Sequence, residues 1–181
     1  MLRGRAGDAL LDSYQPEREP HVRMITDIAV MMGKVVCTQN IEEAAARDAG
    51  MLAQPEEARV SPLIGLDGLK SGVLAGGGTV FPELGHESGK RLDDAAGYVA
   101  LLVVSDDCVA SRAFADAGGF VVRLAALPDA QGRLAALMSG ASALLIRPDR
   151  YVFGTGDAAA LTAAWQTYLA MGSIEAAPAA A

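Results

Sequence analysis

Cys108 is the side chain with the most chemistry within reach. It follows Ser105-Asp106-Asp107 at the end of an apolar run and opens a helical segment, a position that lowers a thiol pKa. Asp106 and Asp107 work against a thiolate there, and Cys37, the other cysteine, lies far away. With no Cys-x-x-Cys pair, dithiol exchange and cysteine-based zinc binding are both excluded. Cys108 is therefore expected to be an ordinary, buried cysteine at a helix start, with monothiol redox chemistry as the alternative. The histidines are His21, in a helical arm, and His86, beside Glu87 in a polar loop. A lone His–Glu pair is short of the three or four ligands a metal site needs. Asp93-Asp94 could hold a hard cation, but adjacent carboxylates more often cap a turn. Arg147 and Asp149 flank Pro148 and suggest a turn with a local ion pair, worth little if exposed. Glu17 and Arg18 suggest helix-face or interdomain salt bridges, and Trp165 and Tyr168 core or interface anchors. The run Gly76-Gly77-Gly78 neither follows a strong strand nor opens a helix, as a phosphate cradle requires. The expectation is no catalytic, cofactor-binding or metal-binding residue in this chain.

The elements that position these residues follow from periodicity. Asp8 to Tyr14 makes a short helical piece. Pro16 suits the first turn of a second helix, where its missing N–H costs nothing, and Glu17 and Glu19 favour that same end. Val22, Ile25, Ile28/Ala29 and Met32 then recur every three to four residues and give one apolar stripe. Asn40 caps a further helix over Ile41–Ala49, closed by Gly50. Met51 to Asp94 is irregular and carries Pro55, Pro62 and Pro82; in it Thr79–Phe81 can pair as a short extended piece. Loops of this length serve function or an interface.

From Gly97 the pattern sharpens. Tyr98–Val104 is a buried-type strand, Cys108–Ala117 a helix ended by Gly118-Gly119, and Phe120–Leu124 a second strand. Gln131–Met138 is a helix, Ala143–Ile146 a third strand and Tyr151–Phe153 a fourth. Thr155 or Asp157 caps a last helix through Met171. The first two strands should be parallel and the last two an antiparallel hairpin. That is an α/β (α+β) layout of βαβαββα type, the thioredoxin topology, preceded by a helical arm. In that topology Ser105 stands where an attacking cysteine would be. The expected division is an arm over 1–50, an irregular β region over 51–96, the thioredoxin-like domain over 97–172 and a frayed tail over 173–181.

The 181 residues suit one domain with an arm. A formal net charge of −7 disfavours nucleic acid and anionic membranes as partners. No apolar run reaches membrane-spanning length and the N-terminus lacks the apolar core of a signal peptide, so the expected location is cytoplasmic.

Several phrases together resemble a known family. Leu10-Leu11-Asp12-Ser13-Tyr14, followed by Glu17-Arg18 and Pro20-His21, is similar to the segment that closes the FAD domain in class A flavoprotein monooxygenases of the phenol hydroxylase and 3-(3-hydroxyphenyl)propionate hydroxylase type. Gly89 to Gly97, with Arg91-Leu92-Asp93-Asp94, resembles the entry into that family's C-terminal thioredoxin-like domain. Ile146-Arg147-Pro148-Asp149 resembles its closing hairpin, and Phe81-Pro82-Glu83 a Phe-Pro-Gln of the same region. Glu19 stands where the family has a second arginine, a charge reversal in the arm. The resemblance implies FAD and NAD(P)H as cofactors of the whole enzyme. The family's Gly-x-Gly-x-x-Gly fingerprint does not occur in this sequence. The chain is thus expected to be a C-terminal fragment with a structural or oligomerisation role, not catalytic by itself. Its expected partners are a second copy, as a homodimer, or a flavin-binding hydroxylase domain completed in trans.

Overall fold

The computed structural model describes residues 6–55, 68–86, 88–128 and 132–171. Among the described residues the chain forms two compact units: residues up to Glu17 together with Gly68 onward, and Arg18–Asp67.

The larger unit is built on a four-stranded mixed sheet in the order β2-β1-β3-β4. The strands are β1 (Leu101–Val104), β2 (Phe120–Arg123), β3 (Ala143–Ile146) and β4 (Val152–Gly156). β1 runs parallel to β2 and antiparallel to β3, and β3 runs antiparallel to β4. These directions are the ones expected from the sequence. β1 begins at Leu101, three residues after the start of the apolar run, because Tyr98 has a positive φ of 59° and Gly97 turns the chain just before it.

Both central strands are buried on two faces, which explains why they read as unbroken apolar runs. Alternation sorts their side chains. Leu101, Val103, Leu144 and Ile146 join Phe81, Leu92, Leu134 and Met138 in one core layer. Leu102, Val104 and Leu145 join Phe114, Phe153, Leu161, Trp165 and Tyr168 in the other. Helix α5 (Arg133–Met138) serves the first layer. Helices α4 (Val109–Asp116) and α6 (Ala158–Met171) serve the second. A short helix, α3 (Leu92–Ala96), buries Leu92 and Ala96 and ends at Gly97 in the left-handed conformation. Asp157 caps α6 by accepting from the amides of Ala159 and Ala160 at 2.9 and 3.1 Å.

A 3-10 turn over Asp8–Ser13 leads into helix α1 (Tyr14–Val36). Pro20 lies inside α1 and has no N–H to give to the Pro16 carbonyl four residues earlier. Ser71 Oγ donates to that carbonyl instead, at 3.2 Å. The turn is sewn to α6, where the Gly7 amide donates to the Leu169 carbonyl at 2.9 Å.

In the smaller unit, α1 continues to Val36 and α2 spans Ile41–Leu52, capped by Asn40 as its sequence predicts. Arg47 donates to the Val35 carbonyl and joins the two helices. No described residue of this unit is buried. Among the described residues no helix is long and apolar enough to cross a membrane.

Candidate functional site

The hairpin between β3 and β4 gathers the phrases that stand out in the sequence. The turn closes through the Arg150 amide donating to the Arg147 carbonyl at 3.0 Å and the Arg147 amide donating to the Tyr151 carbonyl at 2.9 Å. Arg150 takes a positive φ of 66° to make it. The two arginines then reach in different directions.

Arg147 is 8% exposed and enters a buried polar cluster. Its Nη2 donates to Glu17 Oε2 at 2.6 Å and to Asp149 Oδ2 at 3.0 Å. Its Nε donates to Asp149 Oδ1 at 3.1 Å, and its Nη1 to the Gly72 carbonyl at 2.8 Å. The guanidinium lies 5.3 Å from the centre of the Tyr168 ring, a cation–π distance. Glu17, only 4% exposed, accepts at its other oxygen from the Tyr168 hydroxyl at 2.5 Å. Ser13 Oγ lies 3.2 Å from that hydroxyl and donates to the Leu10 carbonyl at 2.9 Å. Gly72 is required here. Its φ is +69°, and a Cβ would fall 2.0 Å from Glu17 Oε1 and 2.6 Å from Arg147 Nη1.

Burial works against the Arg147 charge, but its hydrogen bond to Glu17 and its two contacts with Asp149 outweigh that, so its pKa stands above the ordinary arginine value. Burial, followed by the hydrogen bond to Glu17, pushes the Tyr168 pKa up to about 12. At neutral pH neither group moves a proton. The cluster holds charges in place and offers no acid–base pair.

Arg150 pairs through Nε with Asp93 and donates through Nη1 to the Val99 carbonyl at 3.2 Å. Its carbonyl accepts from the Phe81 amide at 2.8 Å. Arg91 reaches Glu83 at 3.3 Å on the surface. The hairpin therefore binds the 13–17 segment through Arg147, and the 81 and 93 segments through Arg150.

Glu17 makes a bridge across the expected division, from the arm to the 97–172 segment: it is buried and tied to a residue 130 positions away. Two expectations need correction. Arg147 and Asp149 do form the expected pair, but the pair is no exposed local bridge, because Arg147 is buried against Glu17 and Tyr168. Asp93 and Asp94 cap nothing through their side chains, and Asp93 is committed to Arg150.

The other candidates are placed as follows. Cys108 is the N-cap of α4. Its sulfur accepts from the Ser111 amide at 3.4 Å, while its own amide donates to Ser111 Oγ at 3.0 Å, a reciprocal capping box. His86 Nδ1 lies 2.8 Å from Ser88 Oγ and accepts from the Ser88 amide at 3.2 Å. Its neighbour Glu87 lies outside the described residues. Among the described residues no three His, Cys, Asp or Glu side chains are grouped to hold a metal ion. Trp165 packs edge-on and Tyr168 tilted against Phe153, with ring centres 5.2 and 5.8 Å from it. The glycine run lies against β4. The Gly77 amide donates to the Leu74 carbonyl at 2.9 Å and the Gly78 amide to the Val152 carbonyl at 2.8 Å. These donors are spent, and the carbonyls of Leu74, Val152 and Phe153 crowd Gly77. The run does not fit a dinucleotide phosphate.

No family model matches the chain. A probable NADH-specific resorcinol 4-hydroxylase of Rhodococcus jostii (strain RHA1) is 34% identical over 175 residues, which is 85% of this chain and 33% of that protein. This chain matches the C-terminal part of the flavin-dependent aromatic hydroxylases. A 3-(3-hydroxy-phenyl)propionate/3-hydroxycinnamic acid hydroxylase of Mycolicibacterium smegmatis (strain ATCC 700084 / mc(2)155) is 48% identical over 48 residues, 26% of this chain and 8% of that relative. Among solved structures, aklavinone-11 hydroxylase in a ternary complex with FAD and aklavinone superimposes with a TM-score of 0.59 at 21% identity, over 93% of this chain and 36% of that one. The chain thus spans about a third of the length of this resorcinol 4-hydroxylase and of aklavinone-11 hydroxylase.

Proposed function

We propose that this chain is the C-terminal module of an FAD- and NAD(P)H-dependent hydroxylase of phenolic rings, thioredoxin-like in fold, and that it supports the enzyme without catalysing by itself. The observation that carries this reading is the convergence on one hairpin. Segments that resemble the family in the arm, at Phe81, at Asp93 and at Arg147 meet there in ion pairs and backbone bonds, not in a nucleophile–base arrangement. When bound, the flavin would supply oxygen activation. The glycine run of this chain does not fit its phosphates, so the flavin belongs to another portion of the polypeptide or to another subunit, in a cytoplasmic setting.

The apolar face of α1 is the docking side in this reading. Val22, Ile25, Ala29 and Met32, all exposed, and Ile28, half-buried, follow helical spacing. That stripe is wider than the seam of a two-stranded coil and suits a globular surface. A homodimer through the same stripe is the second reading. The monothiol alternative loses ground because Asp106 and Asp107 beside Cys108 oppose a thiolate and no second cysteine is near in the sequence.

The test is flavin content. Purified alone, the chain should hold no stoichiometric FAD and consume no NADH with a phenol. Co-expressed with a flavin-binding portion that carries Gly-x-Gly-x-x-Gly, it should co-purify with it and with FAD. Stoichiometric FAD on the isolated chain would overturn the proposal, and a thiol-dependent activity lost in Cys108→Ser would revive the alternative.

A further inference from the structure

Arg147 grips the chain at two points far apart in sequence. Its Nη2 donates to Glu17 Oε2 at 2.6 Å, and its Nη1 to the Gly72 carbonyl at 2.8 Å. Glu17 is the last residue before the chain leaves the larger unit, and the chain belongs to that unit again from Gly68. One buried guanidinium thus holds both the exit and the return, and Asp149 fixes the guanidinium through its Nε and Nη2. A second tie joins the two ends directly, where Ser71 Oγ donates to the Pro16 carbonyl at 3.2 Å. That carbonyl is left open by Pro20, which has no N–H. Helix α1 is therefore one main-chain bond short at the very step where it leaves the larger unit. Just past the return, the Leu74 amide donates to Phe153 and the Gly78 amide to Val152, at 2.7 and 2.8 Å, and the chain is anchored on β4.

We infer that Arg147 is a clasp that closes the excursion Arg18–Asp67 at its base, so that the arm helices fold, open or change partner while the larger unit stays shut. The two ends are set by side chains of the larger unit, not by the conformation of the arm. The missing bond at Pro20 weakens the one covalent path, along α1, by which fraying could run back into residues 6–17. No described residue of the arm is buried, so its helices have little beyond their own hydrogen bonds and open locally. The clasp also needs a fork. It serves two carboxylates and a carbonyl at once, which the single ammonium of a lysine cannot do in the same geometry. The inference holds whatever the arm docks against.

The test uses the full chain, 15N-labelled, with amide hydrogen exchange read residue by residue. The amides of Gly7, Leu10 and Tyr14 before the exit, and of Leu74 and Gly78 after the return, should exchange within about tenfold of those in β1 and β3, and the amides of α2 and of α1 beyond Pro20 at least about a hundredfold faster. Ala29→Pro breaks α1 inside the arm and should leave exchange at both ends, and the unfolding midpoint read by Trp165, unchanged. Arg147→Lys should speed exchange before the exit and after the return together, by about tenfold or more, the loss of charge-assisted bonds. Ser71→Ala, too mild to unfold the chain, should speed both ends by about threefold, the worth of one weak hydrogen bond. Arm amides as protected as those of β1, a midpoint lowered by Ala29→Pro, a response to Arg147→Lys at one end only, or no response to Ser71→Ala would each overturn the inference.

Discussion

Helix α6 and the stretch of α1 beyond Glu17 are both helices with an apolar stripe, and they meet opposite fates. On α6, Leu161, Trp165 and Tyr168 are buried against Phe153 and the sheet. Beyond Glu17, Val22, Ile25, Met32 and Val36 are all exposed, as is Ile41 on α2 at 85%. The difference is not one of helix propensity. It lies in what each helix has to pack against, and most helical stability in proteins comes from such packing. Glu17 marks the change within a single helix: it is the last residue of the larger unit, fastened to Arg147, and past it α1 contributes nothing to a core. In the proposed reading that stripe, exposed among the described residues, is a docking surface. One unit buries its own core, and the described residues of the other do not.

The strongest way to break this comparison is to unfasten Glu17. Glu17→Ala leaves the Arg147 guanidinium buried with only Asp149 to balance it, and losing one partner of a buried pair costs about 3–5 kcal/mol. Chemical denaturation followed by the Trp165 fluorescence should show a loss near the lower end of that range. A double Glu17→Met, Arg147→Met variant should recover part of it, because the one charge then left without its partner, Asp149, is a third exposed to solvent. A loss of less than about 1 kcal/mol in Glu17→Ala would mean that the larger unit does not depend on its N-terminal strap.

Gly72→Ala tests the same fastening without touching a charge. The added Cβ would collide with the Glu17 carboxylate and the Arg147 guanidinium, at a backbone φ that alanine adopts poorly. The expected loss is about 2 kcal/mol, smaller than for Glu17→Ala because the charged side chains can shift while keeping their bond. Gly76 has an open Cβ direction. Gly76→Ala carries only the backbone penalty of its positive φ, about 1 kcal/mol, and serves as the control.

Tyr168→Phe removes one hydroxyl and should cost about 1–2 kcal/mol at neutral pH. It also gives a pH signature. The folded pKa of Tyr168 is raised to about 12 from an ordinary value of 10. Its contribution is therefore complete below about pH 10 and is lost as pH rises towards 12, because the unfolded chain ionises first. Stability measured across that window should fall more steeply in the parent chain than in Tyr168→Phe. Parallel curves would show that the hydroxyl is neither buried nor held by Glu17.

The elements of the sheet and their order were legible because each is a local pattern: apolar runs at Leu101–Val104 and Ala143–Ile146, the cap at Asn40, the punctuation at Gly118-Gly119. The fastening was not. Glu17 and Arg147 are 130 residues apart, and nothing in the periodicity around either one distinguishes a buried charge from a solvated one. The available signal was indirect: an acidic residue in one family-like phrase and a basic residue in another, with no local partner required of either. The glycine run is set aside as a phosphate cradle on its sequence context, but what it does instead was not legible: the Gly77 amide turns back to Leu74 and the Gly78 amide pairs with Val152 on β4, a role visible only once the strand beside it is known.

The smallest effect on stability should come from the arm. Ile25 and Met32 are exposed on α1, beyond the last residue of the larger unit. Replacing both by Asp should leave the unfolding of that unit unchanged within about 0.5 kcal/mol, as for surface positions in general. The same pair should weaken association with a flavin-binding portion by a hundredfold or more, since burying two unpaired carboxylates in an apolar interface costs several kcal/mol. Titration of the two purified parts, parent against double variant, reads this directly. Loss of association with an unchanged unfolding curve is what an interface predicts. Loss of both together would mean that the arm belongs to the folding of the larger unit, and the contrast between α6 and the far end of α1 would no longer mark a docking surface.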